Sequence, residues 1–175
     1  MRFASMRNLD ISNGEGVGVS LFVQGCDRHC FNCFNPDTWD FNGGKEWTEE
    51  TKNKFIKLID RPYINRISVL GGEPLAEQNL DEVLSLIKEI RISFPEKTIW
   101  LYTGYKFEDL INGIHYPLDS EWEDKVLRQS IVKLCDVLVD GEYIDEQRDI
   151  TLKWRGSLNQ RVIDVKQSLT QNKIV

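Results

Sequence analysis

The chain has 175 residues, of which 41% are hydrophobic and 29% charged, with a formal net charge of -6. These values suit one globular domain with its own hydrophobic core. The negative charge disfavours nucleic acid or an anionic membrane as the main partner, and no apolar run approaches the roughly 20 residues that span a bilayer. The start of the sequence lacks a long apolar leader, so we expect a cytoplasmic protein whose thiols stay reduced.

Strands alternate with helices along the sequence. Alternating apolar side chains bounded by turn residues predict strands at Val17–Gln24, Arg66–Leu70, Thr98–Tyr102, Asp136–Asp140 and Val162–Val165. Apolar stripes at helical spacing predict helices at Thr48–Asp60, Asn79–Phe94, Phe107–Ile114 and Glu121–Lys133. Thr48 and Asn79 are the expected N-caps of the first two helices, and the polar tail after Lys166 is expected to fray.

This alternation is typical of βαβ units that build a mainly parallel sheet, so we expect a single α/β domain over residues 1–175. Its core is expected to cover about residues 8–165, with a polar tail at 166–175. Ligands of parallel sheets bind at the carboxyl ends of the strands. Four glycine-rich or polar stretches follow predicted strands and should therefore converge at one edge of the sheet: Gly25–Cys33, Gly71–Pro74, Thr103–Tyr105 and Asp140–Glu142.

Three cysteines lie close together in the first of these stretches, at Cys26, Cys30 and Cys33. Three thiolates can hold three irons of a cubic four-iron cluster and leave the fourth iron open to another ligand. A structural zinc ion is the alternative, but zinc usually takes four ligands from two separate places. Here the fourth ligand would have to be His29, which is awkwardly close to the neighbouring cysteine, or Cys135, whose surroundings suggest a small buried hydrophobe.

The run Gly71-Gly72-Glu73-Pro74 ends the second predicted strand. Glycines at a strand end allow positive φ angles and a close approach of the backbone to a ligand. An ordinary strand-to-helix turn closed by Pro74 is the alternative, and Glu73 then holds the turn through backbone N–H groups.

The cysteine spacing resembles the CxxxCxxC signature of the radical S-adenosylmethionine (SAM) superfamily. The resemblance implies a partial (β/α) barrel that is open laterally, with a [4Fe-4S] cluster on Cys26, Cys30 and Cys33. It also implies that the amino and carboxylate groups of SAM chelate the open iron. The reduced cluster then donates one electron to the sulfonium, which releases methionine and a 5'-deoxyadenosyl radical.

The same resemblance assigns further residues to SAM. Gly71, Gly72 and Glu73 match the family motif whose backbone approaches the SAM amino group. Thr103 and Asp140 are candidates, by position, for hydrogen bonds to the methionine or ribose part of SAM, and the alternative is that they face solvent at strand ends.

The residue before the third cysteine departs from the family pattern. The family usually has an aromatic residue there, beside the adenine, whereas this chain has Asn32 between Phe31 and Cys33. We therefore expect the backbone from Asn32 through Cys33 to Phe34, rather than an aromatic side chain at position 32, to meet the adenine.

Longer stretches are similar to the activating proteins of anaerobic (class III) ribonucleoside-triphosphate reductase: Phe34–Trp39, Trp100–Tyr105, Asp136–Tyr143 and Arg155–Asp164. The resemblance implies that the enzyme takes a hydrogen atom from a glycine of the reductase, and that a flavodoxin-type protein supplies the electron. One alternative is an activator of another glycyl radical enzyme, such as pyruvate formate-lyase. The other is a non-catalytic zinc or electron-transfer module.

The tract Arg155–Asp164 is the most discriminating part of this resemblance, and the role of its portion Arg155–Arg161 has two interpretations. Its charged and amide side chains either dock the reductase or satisfy backbone groups near the edge of the barrel, and we favour the structural role.

Overall fold

The structure is a computed structural model that describes residues 1–112 and 122–175. In these residues the strands are β1 (Arg2–Asp10), β2 (Gly18–Val23), β3 (Lys45–Glu46), β4 (Arg66–Gly71), β5 (Thr98–Tyr102), β6 (Val137–Asp140) and β7 (Arg161–Asp164). The helices are α1 (Glu49–Ile59), α2 (Leu80–Ser93), α3 (Phe107–Asn112), α4 (Trp122–Leu134) and α5 (Val165–Gln171). None of the helices in the described ranges is long and apolar enough to cross a membrane.

The strands form one mixed sheet in the order β3-β1-β2-β4-β5-β6-β7. The four central strands, β2, β4, β5 and β6, are parallel, whereas β1, β3 and β7 join antiparallel at the two sides. The expected α/β class is therefore confirmed, and the sheet is open because β3 and β7 remain its edges. The parallel part is smaller than expected. β1 and β3 were not predicted from the sequence. β7 pairs antiparallel with β6, without a crossover helix between them.

The predicted elements agree closely with the observed ones where the structure describes them, and α5 is a helix that was not predicted. The hydroxyl of Thr48 accepts a hydrogen bond from Thr51 N, which confirms this N-cap. Asn79 is the N-cap residue of α2, as predicted, but its side chain makes no capping hydrogen bond and instead donates to the carbonyls of Gln24 and Glu73. The ends predicted at Ile114 and Glu121 lie outside the described residues.

The tail does not fray as expected. It forms α5, which Asp164 caps by accepting a hydrogen bond from Gln167 N. The backbone N–H of Asp164 also donates to the carbonyl of Val175, at 2.8 Å, so the last residues fold back onto the end of β7.

The two faces of the sheet have different partners. Side chains alternate across a strand, so every second residue faces the same side. One set packs in a common hydrophobic core with residues of all five helices, and it includes Leu21, Val69 and Leu101. The other set belongs to a concave face that the described helices leave uncovered, and Phe22 and Tyr102 line a cavity there.

An ion pair is buried at the far end of this concave face, where β1 ends and β4 begins. The carboxylate of Asp10 lies 3.4 Å from a guanidinium nitrogen of Arg66, and both side chains are fully buried. Ser20 Oγ on β2 donates to the same carboxylate at 2.9 Å. The pair thus joins three neighbouring strands at the end of the sheet opposite the cysteines.

Candidate functional site

A cavity of about 610 Å³ opens at the carboxyl ends of the parallel strands. Its wall contains residues from all four stretches that the sequence placed at strand ends. They include Cys26, Cys30, Cys33, Gly71, Gly72, Glu73, Thr103, Gly104, Gly141 and Glu142, and Phe34, directly after the first stretch, lines the cavity as well. The predicted convergence is therefore confirmed, and its cause is the parallel order of β2, β4, β5 and β6.

The cysteine loop leaves β2 at Gly25 and returns at Trp39. The N–H groups of Gly25 and Cys26 donate to the carbonyls of Thr38 and Trp39, at 2.8 and 3.1 Å. The ring of His29 stacks on that of Trp39, with 4.7 Å between the centroids. The base of the loop is thus closed by backbone hydrogen bonds, and His29 is engaged at this end.

The three loop cysteines are half-buried thiols without disulfide partners. Burial raises the pKa of Cys26, and burial together with the nearby carboxylate of Glu142 raises the pKa of Cys30 to about 11. Glu142 Oε1 lies 3.6 Å from Cys30 Sγ. At neutral pH both thiols hold their protons until a metal displaces them, so metal binding would release protons.

Cys135 lies apart from these three. It is fully buried in the hydrophobic core, and its Sγ donates to the carbonyl of Ile131 at 3.3 Å. Within residues 1–112 and 122–175, no three His, Cys, Asp or Glu side chains are grouped so that they could hold a single metal ion. The burial of Cys135 in the core, away from the cysteine loop, therefore does not support a zinc site that it completes.

The glycine pair ends β4 directly against the cysteine loop. Gly71 has a φ of 111°, which disfavours any residue with a side chain. A Cβ on Gly72 would lie 2.4 Å from the carbonyl oxygen of Gly25, so only glycine fits there. The N–H of Glu73 donates to the same carbonyl at 2.7 Å. The turn and the base of the cysteine loop are therefore packed directly against each other and joined by a backbone hydrogen bond.

The Glu73 side chain lies beneath this turn and is 1% exposed. Its Oε1 accepts hydrogen bonds from Leu75 N and Thr103 Oγ1, at 2.9 and 2.8 Å. Its Oε2 accepts from Gly104 N at 2.8 Å and lies 3.5 Å from Arg28 Nε. Burial raises the pKa of Glu73, and these donors oppose that effect. The carboxylate thus ties together the ends of β4 and β5 and the cysteine loop.

Thr103 and Asp140 differ in their position relative to the cavity. Thr103 lies on the cavity wall, although its hydroxyl donates to Glu73 and accepts from Tyr105 N. Asp140 is not among the cavity-lining residues, because alternation along β6 turns it away while Val139 faces the cavity. Its carboxylate accepts from the N–H of Phe107 at 2.8 Å and from Arg161, which leaves it engaged on the helical side.

Asn32 also lies outside the cavity wall. Its side chain is exposed, and its Nδ2 donates to Asp145 Oδ2 at 2.9 Å. The neighbouring residues Cys33 and Phe34 do line the cavity. The side chain of Asn32 is thus directed to another loop, and the two residues that follow it contribute to the cavity wall.

Sequence reasoning missed several residues of the cavity wall: Arg7, Phe22, Arg28, Tyr102, Tyr143 and Trp154. Among these residues, the sequence could have indicated Arg28 most readily, because it is a cation between two cysteines. Its guanidinium lies 4.1 Å from the ring centroid of Tyr105 and also meets the buried Glu73 carboxylate. Trp154 gave no local signal, because only the fold brings its ring within 5.1 Å of that of Trp100.

The tract Arg155–Arg161 satisfies backbone groups of the loop that follows β6. Asn159 Nδ2 donates to the carbonyl of Glu142 at 2.8 Å, and Gln160 Nε2 donates to that of Gly141 at 3.0 Å. Arg161 pairs with Asp140 and with Glu108 on α3. These contacts agree with the prediction that this tract has a structural role and satisfies backbone groups.

Comparison with known proteins places the chain in a family. The profile of the family described as "4Fe-4S single cluster domain" matches residues 12–163. The chain is 37% identical to a protein of Salmonella typhimurium over 164 residues, which cover 93% of this chain and 97% of that protein.

Other relatives carry the same name. The chain is 36% identical to an Escherichia coli protein, covering 93% of this chain and 97% of that protein. It is 35% identical to a protein of Enterobacteria phage T4, covering 93% of each chain. All three relatives are named anaerobic ribonucleoside-triphosphate reductase-activating protein. At this identity and coverage, the chain belongs to the family of anaerobic ribonucleoside-triphosphate reductase-activating proteins, which carry a 4Fe-4S single cluster domain.

Proposed function

We propose that this chain is the radical SAM enzyme that installs a glycyl radical on an anaerobic ribonucleoside-triphosphate reductase. One observation carries the proposal: three thiols of one loop and the glycine pair at the end of β4 line the same cavity, in a chain whose relatives bear the activating-protein name. The reductase is the protein substrate, and a reduced flavodoxin-type protein is the electron donor. The reducing cytoplasm is the setting that the free thiols favour.

The residues fit a [4Fe-4S] cluster held by Cys26, Cys30 and Cys33. The donor set is three half-buried thiols, and Cys135 is held in the core, so one iron would be left without a cysteine ligand. The cluster and SAM, when bound, would supply one-electron cleavage of the sulfonium and a radical able to take a hydrogen atom from glycine. The cavity volume of about 610 Å³ is in the range of small-molecule sites.

The chain's own groups then have distinct roles. The backbone at Gly71, Gly72 and Glu73 would receive the amino end of SAM, because these residues line the cavity together with the three loop cysteines. The backbone from Asn32 to Phe34 would border the adenine. Thr103 is at the wall and would contact SAM, whereas the buried carboxylate of Asp140 is engaged elsewhere and we leave it out of the SAM site.

The remaining architecture suits a protein substrate. We propose that residues 1–175 are one radical SAM domain and that its open sheet is a laterally open partial (β/α) barrel. An open edge would let a loop of the reductase reach the cavity, which a closed barrel would prevent.

Anaerobic reconstitution tests the proposal. We expect about four irons per wild-type chain, 5'-deoxyadenosine when SAM and a reductant are added, and a glycyl radical signal with the reductase. Cys30→Ala should lose cluster and cleavage, while Cys135→Ala should keep both. The measurements are iron content, product chromatography and electron paramagnetic resonance.

Two outcomes would contradict the proposal. Reconstituted wild-type protein that binds SAM but never cleaves it would exclude the enzyme. A glycyl radical signal on pyruvate formate-lyase, with none on the reductase, would show that the lyase is the protein substrate instead.

A further inference from the structure

Asn32 joins the cysteine loop to a distant part of the chain. It lies between Cys30 and Cys33 with a φ of 53°, a left-handed conformation that asparagine tolerates better than most residues. Its Nδ2 donates to Asp145 Oδ2 at 2.9 Å, across a separation of 113 residues. Asn32 thus combines the backbone shape that the loop needs with a long-range tether.

Asp145 holds a second group at the same time. Its Oδ1 accepts a hydrogen bond from the hydroxyl of Tyr143 at 2.6 Å. The ring of Tyr143 packs on that of Phe34, with 4.9 Å between the centroids. One carboxylate therefore connects to the residues on both sides of Cys33, through Asn32 directly and through Phe34 by way of Tyr143.

The Phe34 ring is also confined from other directions. A Cβ on Gly156 would lie 2.7 Å from it, and the guanidinium of Arg148 lies 5.3 Å from its centroid. Asp145 itself sits on a firmly held loop, because the neighbouring Ile144 N donates to the fully buried Ser157 at 3.3 Å. The tether therefore leads from the cysteine loop to the β6–β7 edge of the sheet.

We infer that Asp145 is a positioning residue that, through Asn32 and Tyr143, holds Cys33 and the adjoining backbone in the geometry needed by the cluster and SAM. The inference rests on the proposed function. Hydrogen bonds at an exposed surface contribute little to global stability, so the effect should appear in cluster retention and SAM affinity. Supporting contacts of this kind are typically worth 10- to 100-fold in metal affinity or activity.

An exchange of the two side chains tests the inference. In Asn32→Asp, two carboxylates face each other and the tether is broken, although aspartate still tolerates the left-handed backbone. Adding Asp145→Asn restores the tether in reverse. The amide introduced at position 145 can accept from Tyr143 through its Oδ1 and donate through its Nδ2 to the carboxylate introduced at position 32. The double variant also has the wild-type net charge.

We expect Asn32→Asp to lose iron to a chelator about tenfold faster than wild type and to raise the KM for SAM about tenfold. In the double variant, the rate of iron loss and the KM for SAM should both return to within about twofold of wild type. The electron paramagnetic resonance spectrum of its reduced cluster should also match that of wild type. Glu146→Gln, an exposed carboxylate beside Asp145, is the matched control and should behave as wild type. Thermal unfolding checks that every variant is folded.

Two results would overturn the inference: wild-type iron retention and KM in Asn32→Asp, or a double variant as impaired as the single one. Chelator-driven iron loss does not require SAM cleavage. If wild-type protein holds iron but does not cleave SAM, the proposed function fails, while the comparison of iron loss still decides the role of Asp145.

Discussion

At the scale of the residue, Glu73 illustrates how one side chain supports the site. Its carboxylate is surrounded by donors: two backbone N–H groups, the hydroxyl of Thr103 and the guanidinium of Arg28. A carboxylate accepts hydrogen bonds through both oxygens, which matches this environment. An amide of the same shape has one donating end that would face donors.

We therefore predict that Glu73→Gln lowers the free energy of unfolding by about 2 kcal/mol, because a buried NH₂ group is left without an acceptor. Denaturant unfolding of the anaerobic protein measures this change. The control is Glu77→Gln, an exposed carboxylate four residues away, which should change stability by less than about 0.5 kcal/mol. Equal effects of the two substitutions would disprove the structural role of Glu73.

At the scale of the element, the end of β6 shows why Asp140 has a structural role and does not belong to the SAM site. Asp140 accepts from the first N–H of α3 and pairs with Arg161 on β7, so it joins three elements. Its side chain is almost fully buried, whereas Arg161 is about one-third exposed. The pair thus stabilises the edge of the sheet beside the cavity without facing it.

For this reason, Asp140→Asn should lower the free energy of unfolding by about 1 to 2 kcal/mol, while the KM for SAM stays within about twofold of wild type. Asp109→Asn is the control, since it removes an exposed carboxylate from the first turn of the same helix, α3. Urea unfolding and steady-state SAM cleavage are the two measurements. A large rise in KM without loss of stability would instead return Asp140 to the SAM site.

At the scale of the whole molecule, the buried pair of Asp10 and Arg66 closes the end of the concave face opposite the cysteines. Burial raises the pKa of Asp10, but hydrogen bonds from Asn13, Ser12 and Ser20 outweigh it and lower the pKa from 3.8 to about 2. A depressed carboxyl pKa stabilises the fold above the unfolded value of 3.8, and this contribution is lost as the pH falls through about 2.

We predict that wild type exceeds Asp10→Asn in free energy of unfolding by about 2 kcal/mol at pH 6, and that the difference narrows between pH 4 and pH 2. Urea titrations of the iron-free chain at several pH values measure it, since acid would remove a cluster. A difference that is constant across this range would show that the charge of Asp10 makes no contribution.

Local pattern was enough to predict the central strands, the helices α1 and α2 and the cysteine loop. Apolar alternation and the Thr48 cap depend on neighbouring residues, so the sequence displays them directly. β1 was missed because its apolar and polar residues do not alternate regularly, and antiparallel pairing with β2 and β3 defines it as a strand. The position of the Asn79 cap was also predicted, but not its contacts, because the side chain donates to the carbonyls of Gln24 and Glu73 instead of capping its own helix.

Residue identity and short spacing were sufficient to locate the cysteine triad and the glycine turn, because each of these lies within a few neighbouring positions. Four longer stretches of sequence indicated the family. The fold was needed to show where Asp140 points and what Asn32 holds. The first depends on which side of β6 the cavity lies, and the second on a contact across 113 residues. Long-range pairing sets both, since the burial of a whole sheet fixes which side chains meet.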